Sequence, residues 1–155
     1  MTGGYPTRWA PTTRETADHS MPYVVAMALI DGKVTARSFA PERLTDPAVR
    51  DLMRKVKVSE SAELTAQHPE GAPSRVTVRT AAGEVLTTEI RYPKGHAKSP
   101  MSDQDVEQKF RDAVQEHGDA RRCEEALQAL RNFERVKDVK SDVIKLFAVR
   151  SASSE

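Results

Sequence analysis

The feature that most constrains this chain is an unbroken apolar run, Tyr23-Val24-Val25-Ala26-Met27-Ala28-Leu29-Ile30, closed at both ends by helix punctuation. Ser20 is a good N-cap and Pro22 is tolerated in a first turn, while Asp31-Gly32 provides a stop in which glycine can take the left-handed conformation. A helix that is apolar on every side belongs at the centre of a fold, so this segment predicts the buried axis of a core. It is far too short for the roughly 20 residues that cross a bilayer. Arg14, Glu15, Asp18 and His19 precede it and no small-residue cleavage site follows, so it does not read as a signal peptide either. The expectation is a cytoplasmic protein with no membrane partner.

Around this helix the chain alternates between periodic and broken stretches. Residues 1–17 are rich in Gly, Pro and Thr and predict an irregular or extended arm that needs something to lie against. Asp46-Pro47 starts an amphipathic helix with Val49, Leu52, Met53 and Val56 on one face, running into a possible strand at 57–60. Residues 61–74, with His68-Pro69-Glu70-Gly71-Ala72-Pro73, read as a surface loop. Val76 and Val78, a turn at Ala82-Gly83, then Leu86, Thr88, Ile90 and Tyr92 describe a β-hairpin with one face on the core. Tyr92 to Pro100 breaks all periodicity and predicts an ordered loop.

Ser102 and Asp105 form a near-capping box before a helix bearing Val106, Phe110, Ala113 and Val114, which Gly118 closes. A second helix from Asp119 has Cys123, Ala126, Leu127, Leu130 and Phe133 as its inner stripe. A last short helix from Ser141 or Asp142 buries Val143, Leu146 and Phe147, and the Ser-rich residues 151–155 predict a disordered tail. Strands and helices are segregated along the chain, which favours an α+β fold, a small antiparallel sheet packed against helices, over a βαβ arrangement. At 155 residues, one domain over 18–150 with a single core is expected.

Charge narrows the function. Lys and Arg (24) nearly balance Asp and Glu (23), and the pI is about 7.9. A nucleic-acid binder concentrates basic charge and usually has a pI above ~9, so no nucleic-acid partner is expected. One cysteine allows no intrachain disulfide and no Cys-based zinc set, and no metal site is expected.

Two segments concentrate reactive side chains. In Asp18-His19-Ser20-Met21-Pro22-Tyr23, His19 and Tyr23 lie four apart at the start of the apolar helix, whose N-terminus favours anions. Together they could hold or protonate a carboxylate. The structural alternative is that Ser20 caps, His19 bonds a nearby carbonyl and Tyr23 packs. In Tyr92-Pro93-Lys94-Gly95-His96-Ala97-Lys98, Lys94 and His96 sit in a constrained loop suited to carboxylate recognition or acid–base work, against the alternative of a solvated basic loop. His68 reads as solvent-facing, His117 as complementing a helix C-terminus, Cys123 as core, and Arg121-Arg122 as a solvated face.

The string Arg14-Glu15-Thr16-Ala17-Asp18-His19-Ser20-Met21-Pro22-Tyr23, followed by Ala28-Leu29-Ile30-Asp31-Gly32, resembles the opening of the C-terminal domain of the MmgE/PrpD family. Residues 39–52, Tyr92 to Ser102 and Lys109-Phe110-Arg111 agree with it. The resemblance implies an α+β lid domain on a larger helical N-terminal domain, with the substrate cleft between them. It implies family chemistry on small di- and tricarboxylates: proton removal beside a carboxylate, then loss of water, decarboxylation or reprotonation, without metal or organic cofactor. The expectation is the lid of a lyase resembling 2-methylcitrate dehydratase, with part of a cis-aconitate decarboxylase or carboxylate epimerase of the same family as an alternative. Carried onto this sequence, His19 and Tyr23 become catalytic candidates and Ser20, Lys94 and His96 substrate-binding ones. That reading requires Tyr23 to be reachable from solvent. The helical domain, which in the family supplies most acid–base groups, is expected from elsewhere, a separate chain included, so that this chain alone is not expected to be active. A non-catalytic interaction module, or the remnant of a truncated gene, is the alternative.

Overall fold

A computed structural model of the chain describes residues 6–114 and 120–147. The expected boundary features His117, Gly118 and Asp119, and the tail from 151, lie outside the described residues. The fold is α+β. The single core expected for this length is divided between two compact units, Met1–Tyr92 and Pro93–Glu155, with the division at the Tyr92-Pro93 step where all periodicity stops.

The first unit is built on the apolar helix. Helix α1 is Pro6–Trp9, α2 is Arg14–Asp18 and α3 is Met21–Asp31. Ser20 caps α3 through its Oγ, which accepts the Tyr23 N–H at 3.2 Å, and Gly32 ends it at φ 73°. The face made by Tyr23, Ala26 and Met27 is fully buried with Ala17, Leu44, Val49 and Met53. Leu29 and Ile30, however, are exposed, so α3 buries one side and is not the all-round core axis its composition predicts. Composition reports which residues could be buried; the neighbours present decide which are.

Within the described part of the predicted extended arm, residues 6–17, the chain forms α1 and the start of α2 instead. Thr13 caps α2 in a reciprocal pair with Thr16, each side chain accepting the other's backbone N–H at 3.2 and 3.0 Å. The usual box has Glu or Gln at the fourth position, and Thr16 takes that place here. The support the arm needs is α3, against which α1 and α2 pack, and Arg50, whose guanidinium donates to the Pro11 carbonyl at 3.0 Å.

A 3-10 turn, Ala36–Phe39, leads to α4, Pro41–Thr45, and α5, Pro47–Met53. Asp46 caps α5 as expected, its carboxylate accepting the Ala48 N–H at 2.9 Å. Residues 57–60 are irregular: they acquire no strand neighbour, and an extended segment without a partner is no strand. The loop that follows contains one short helix, α6, Ala62–Thr65, capped by Ser61.

Strands β1, Ser74–Arg79, and β2, Val85–Ile90, pair antiparallel with Val78 opposite Leu86. The expectation of one face on the core is corrected here. Val76, Val78, Leu86 and Ile90 do share a face, yet Leu86 and Ile90 are each about half exposed. Side-chain bonds lie on the opposite, polar face, where Arg75 bonds Glu89 across the strands and Glu63 of α6, and Thr77 meets Thr87.

The second unit begins with the 93–100 loop and α7, Asp103–Val114, whose start is the capping box read from sequence: Ser102 Oγ accepts the Asp105 N–H and Asp105 accepts the Ser102 N–H. Helix α8, Ala120–Arg131, buries Cys123, Ala126 and Leu127. The chain ends its described part with α9, Val139–Asp142, started by Asp138 and so two or three residues earlier than predicted, and a 3-10 turn at Ile144–Phe147. Val143 is buried as predicted; Phe147 is exposed on one side and meets Phe110 edge to face, centroids 6.1 Å apart. Among the described residues no helix is long and apolar enough to cross a membrane.

Candidate functional site

The junction between α2 and α3 is two residues long, His19 and Ser20, and it separates the motif's side chains into two populations. His19 is the C-cap of α2, and its side chain is 73% exposed. Its Nδ1 lies 3.0 Å from the Glu15 carbonyl and also contacts the Asp18 carboxylate. A carbonyl only accepts, so Nδ1 carries the hydrogen and the lone pair of the neutral ring is on Nε2. The Glu15 carbonyl, then the Asp18 carboxylate, raise the imidazole's pKa above its ordinary value, with the Arg8 charge opposing them. A basic, accessible imidazole held by a carboxylate is the element of this segment with acid–base capacity.

Ser20 and Tyr23 are placed otherwise. Both are fully buried. The Tyr23 hydroxyl donates to the Ser38 carbonyl at 2.6 Å, its ring lies 5.9 Å from that of Phe39, and burial pushes its pKa up. The condition that Tyr23 be reachable from solvent is therefore not met in this chain. Ser20 Oγ donates to the Arg8 carbonyl and accepts from Tyr23 N–H, which commits the hydroxyl twice. All three residues have the geometry of the structural alternative: Ser20 caps, His19 bonds the Glu15 carbonyl and Tyr23 packs.

The anion-attracting helix start also has less to offer than its position predicts. Pro22 has no N–H, the Tyr23 N–H is held by Ser20 Oγ, and the Val24 N–H by the Ser20 carbonyl.

Lys94 and His96 belong to the second unit. Their loop is ordered, as its prolines and glycine predict: Gly95 adopts φ 97°, its N–H reaches the Ser99 carbonyl at 2.7 Å, and the Ser99 N–H returns to His96 O at 2.8 Å. Lys94 pairs with Asp105, and this bond, aided by Ser102, holds the Asp105 carboxyl down at about 2. His96 is half-buried, and its Nδ1 accepts the Lys98 backbone N–H at 3.1 Å. Cys123 is buried and His68 exposed, both as read from sequence. Among the described residues no group of three or more His, Cys, Asp or Glu is placed to hold a metal ion.

Sequence reasoning had His19 bonding a nearby carbonyl but did not identify it as that of Glu15, nor pair His19 with Asp18. The signal for them is the i, i+4 step from Glu15 to His19, which is only meaningful once 14–18 is helical. Treating that stretch as an extended arm hid it.

The chain is similar to cis-aconitate decarboxylase from Mus musculus, 30% identical over 113 residues, which is 69% of this chain and 22% of that protein. The human cis-aconitate decarboxylase is 28% identical over 140 residues, 86% of this chain and 28% of the relative, and that of Aspergillus terreus is 26% identical over 137 residues. The chain thus spans between 22% and 28% of the length of these curated relatives. The family model for the MmgE/PrpD C-terminal domain matches residues 2–135, which contain every motif that carried the resemblance, and the chain belongs to the MmgE/PrpD C-terminal domain family.

Proposed function

We propose that this domain forms one wall of a pocket for small di- and tricarboxylates in a lyase, with His19 as its proton-accepting group. The observation that carries the reading is the Asp18–His19 pair: an exposed imidazole whose Nδ1–H is held by two acceptors and whose Nε2 has the lone pair. In a dehydration a base so held removes a proton from carbon beside a carboxylate and, as the imidazolium, gives a proton to the leaving hydroxyl. In a decarboxylation the ring starts as the imidazolium and donates its proton to the carbon that takes the electron pair as carbon dioxide leaves. Lys94 and His96, in the other unit, are proposed by themselves as carboxylate-binding groups, through charge and hydrogen bonding. Tyr23 and Ser20 are left out, because their hydroxyls are buried and committed.

One wall cannot focus binding on a transition state. The opposite wall is proposed to come from a helical domain, on the same polypeptide or on another. The names of the relatives make cis-aconitate the first substrate to try, with 2-methylcitrate second. The test is to combine the chain with a polypeptide carrying the helical domain and to follow decarboxylation of the one and dehydration of the other. Turnover in the mixture, reduced about 100-fold or more by His19→Gln, is expected. No turnover with either acid and no complex on gel filtration would defeat the reading.

One observation favours a second reading, a non-catalytic interaction module. Ser20 and Tyr23 serve the core, and Leu29, Ile30, Leu86 and Ile90 present apolar surface. A complex with the helical domain that forms normally and turns over equally well with His19→Gln would support it.

A further inference from the structure

We propose that backbone groups hold the two candidate histidines, one in each unit, in opposite tautomers, so that the neutral ring of His19 presents a proton-accepting Nε2 and that of His96 a protonated Nε2. The inference rests on the lyase reading for its roles but not for its geometry. At His19 the neighbour of Nδ1 is the Glu15 carbonyl, 3.0 Å away, which can only accept. Nδ1 is therefore the protonated nitrogen and Nε2 holds the lone pair. At His96 the neighbour of Nδ1 is the Lys98 backbone N–H, 3.1 Å away, which can only donate. There Nδ1 holds the lone pair, and the neutral ring carries its hydrogen on Nε2.

Each arrangement is built into its element. Glu15 and His19 stand one helical turn apart, with α2 ending between them, so the ring folds back onto the last turn of its own helix. His96 and Lys98 stand two apart in the loop that the Gly95–Ser99 and Ser99–His96 bonds close, so the ring folds forward onto the chain. Asp18 and Lys98 act through the imidazoles and are positioning residues. Asp18 adds a second acceptor at the protonated nitrogen of His19. The Lys98 contact is a backbone one, so changes to its side chain leave it in place.

A free imidazole in water favours the hydrogen on Nε2, which makes the His19 arrangement the discriminating one. The test is the ring-nitrogen NMR spectrum of the full chain at alkaline pH, with signals assigned by His19→Asn and His96→Asn among the four histidines. Expected are a protonated Nδ1 at His19 and a protonated Nε2 at His96. Asp18→Asn should leave the His19 tautomer unchanged, because the Glu15 carbonyl remains, while its titration midpoint falls. Lys98→Pro, which deletes the N–H, should turn His96 into a mixture of tautomers; Lys98→Ala should not. A protonated Nε2 at His19, or a protonated Nδ1 at His96, overturns the proposal. The spectra are read on this chain without turnover, so a failed lyase assay leaves them unchanged, and a wrong tautomer removes the roles without touching the assay.

Discussion

Replacing Tyr23 by Phe separates a core tyrosine from a catalytic one. The substitution keeps the ring, and with it the packing against Phe39, Met27 and Val49, and deletes one buried hydroxyl. The Ser38 carbonyl, 2.6 Å away in a residue 2% exposed, then loses the side-chain donor it has. Leaving a buried acceptor unsatisfied costs about 1–3 kcal/mol. With a urea slope of about 1–3 kcal/mol per molar, the midpoint should fall by roughly 0.3–3 M at unchanged slope. Tyr23→Ala adds the lost ring, about 3–5 kcal/mol, a large part of a total near 5–15 kcal/mol. Urea melts followed by circular dichroism measure both variants. A Phe variant as stable as the parent, or one whose stability is intact while assembled turnover is abolished, would refute the placement of Tyr23 in the core.

Gly71→Ala should lower the melting temperature by several degrees, about 1–3 kcal/mol, because an added Cβ stands 2.9 Å from the Arg91 carbonyl and 3.3 Å from the Tyr92 ring; a neutral substitution would mean that loop 61–74 is not held against the end of the hairpin. Asp105, with its folded pKa depressed to about 2 by Lys94 and Ser102, contributes stability above its unfolded pKa, near 4, and loses it as pH falls toward 2; a carboxyl NMR titration of Asp105 checks the midpoint, and Lys94→Ala should raise it. For His19 the sign is opposite: its pKa is raised when folded, so its contribution is complete below the unfolded imidazole value and fades as pH rises through the folded one, which a ring-proton titration with and without Asp18→Asn measures.

Both ends of α3, the start of α5, the capping box at Ser102 and the hairpin were legible in the sequence because each depends on interactions close along the chain: Ser20 with Tyr23, Asp46 with Ala48, Ser102 with Asp105, Val78 with Leu86. The family was legible for the same reason, since its motifs are contiguous strings. Helix α2 was missed because a Thr-x-x-Thr box was not counted as a start signal. With it went the Glu15–His19 step on which the imidazole's tautomer depends.

The sequence by itself determined which local elements form, which family they belong to, and that Asp18 to Tyr23 and Lys94 to His96 concentrate reactive groups. Which of those groups face outward was decided only by tertiary structure. Spacing puts His19 and Tyr23 on one helical face, but a side chain is buried by what packs on it. Ala17, Leu44 and Phe39 close over Tyr23 from segments both before and after it in the chain, while His19 folds back onto the Glu15 carbonyl and stays in water. The same holds for the hairpin: alternation assigns Leu86 and Ile90 to one face, and only the presence of a neighbour, distant in sequence, can make that face a core.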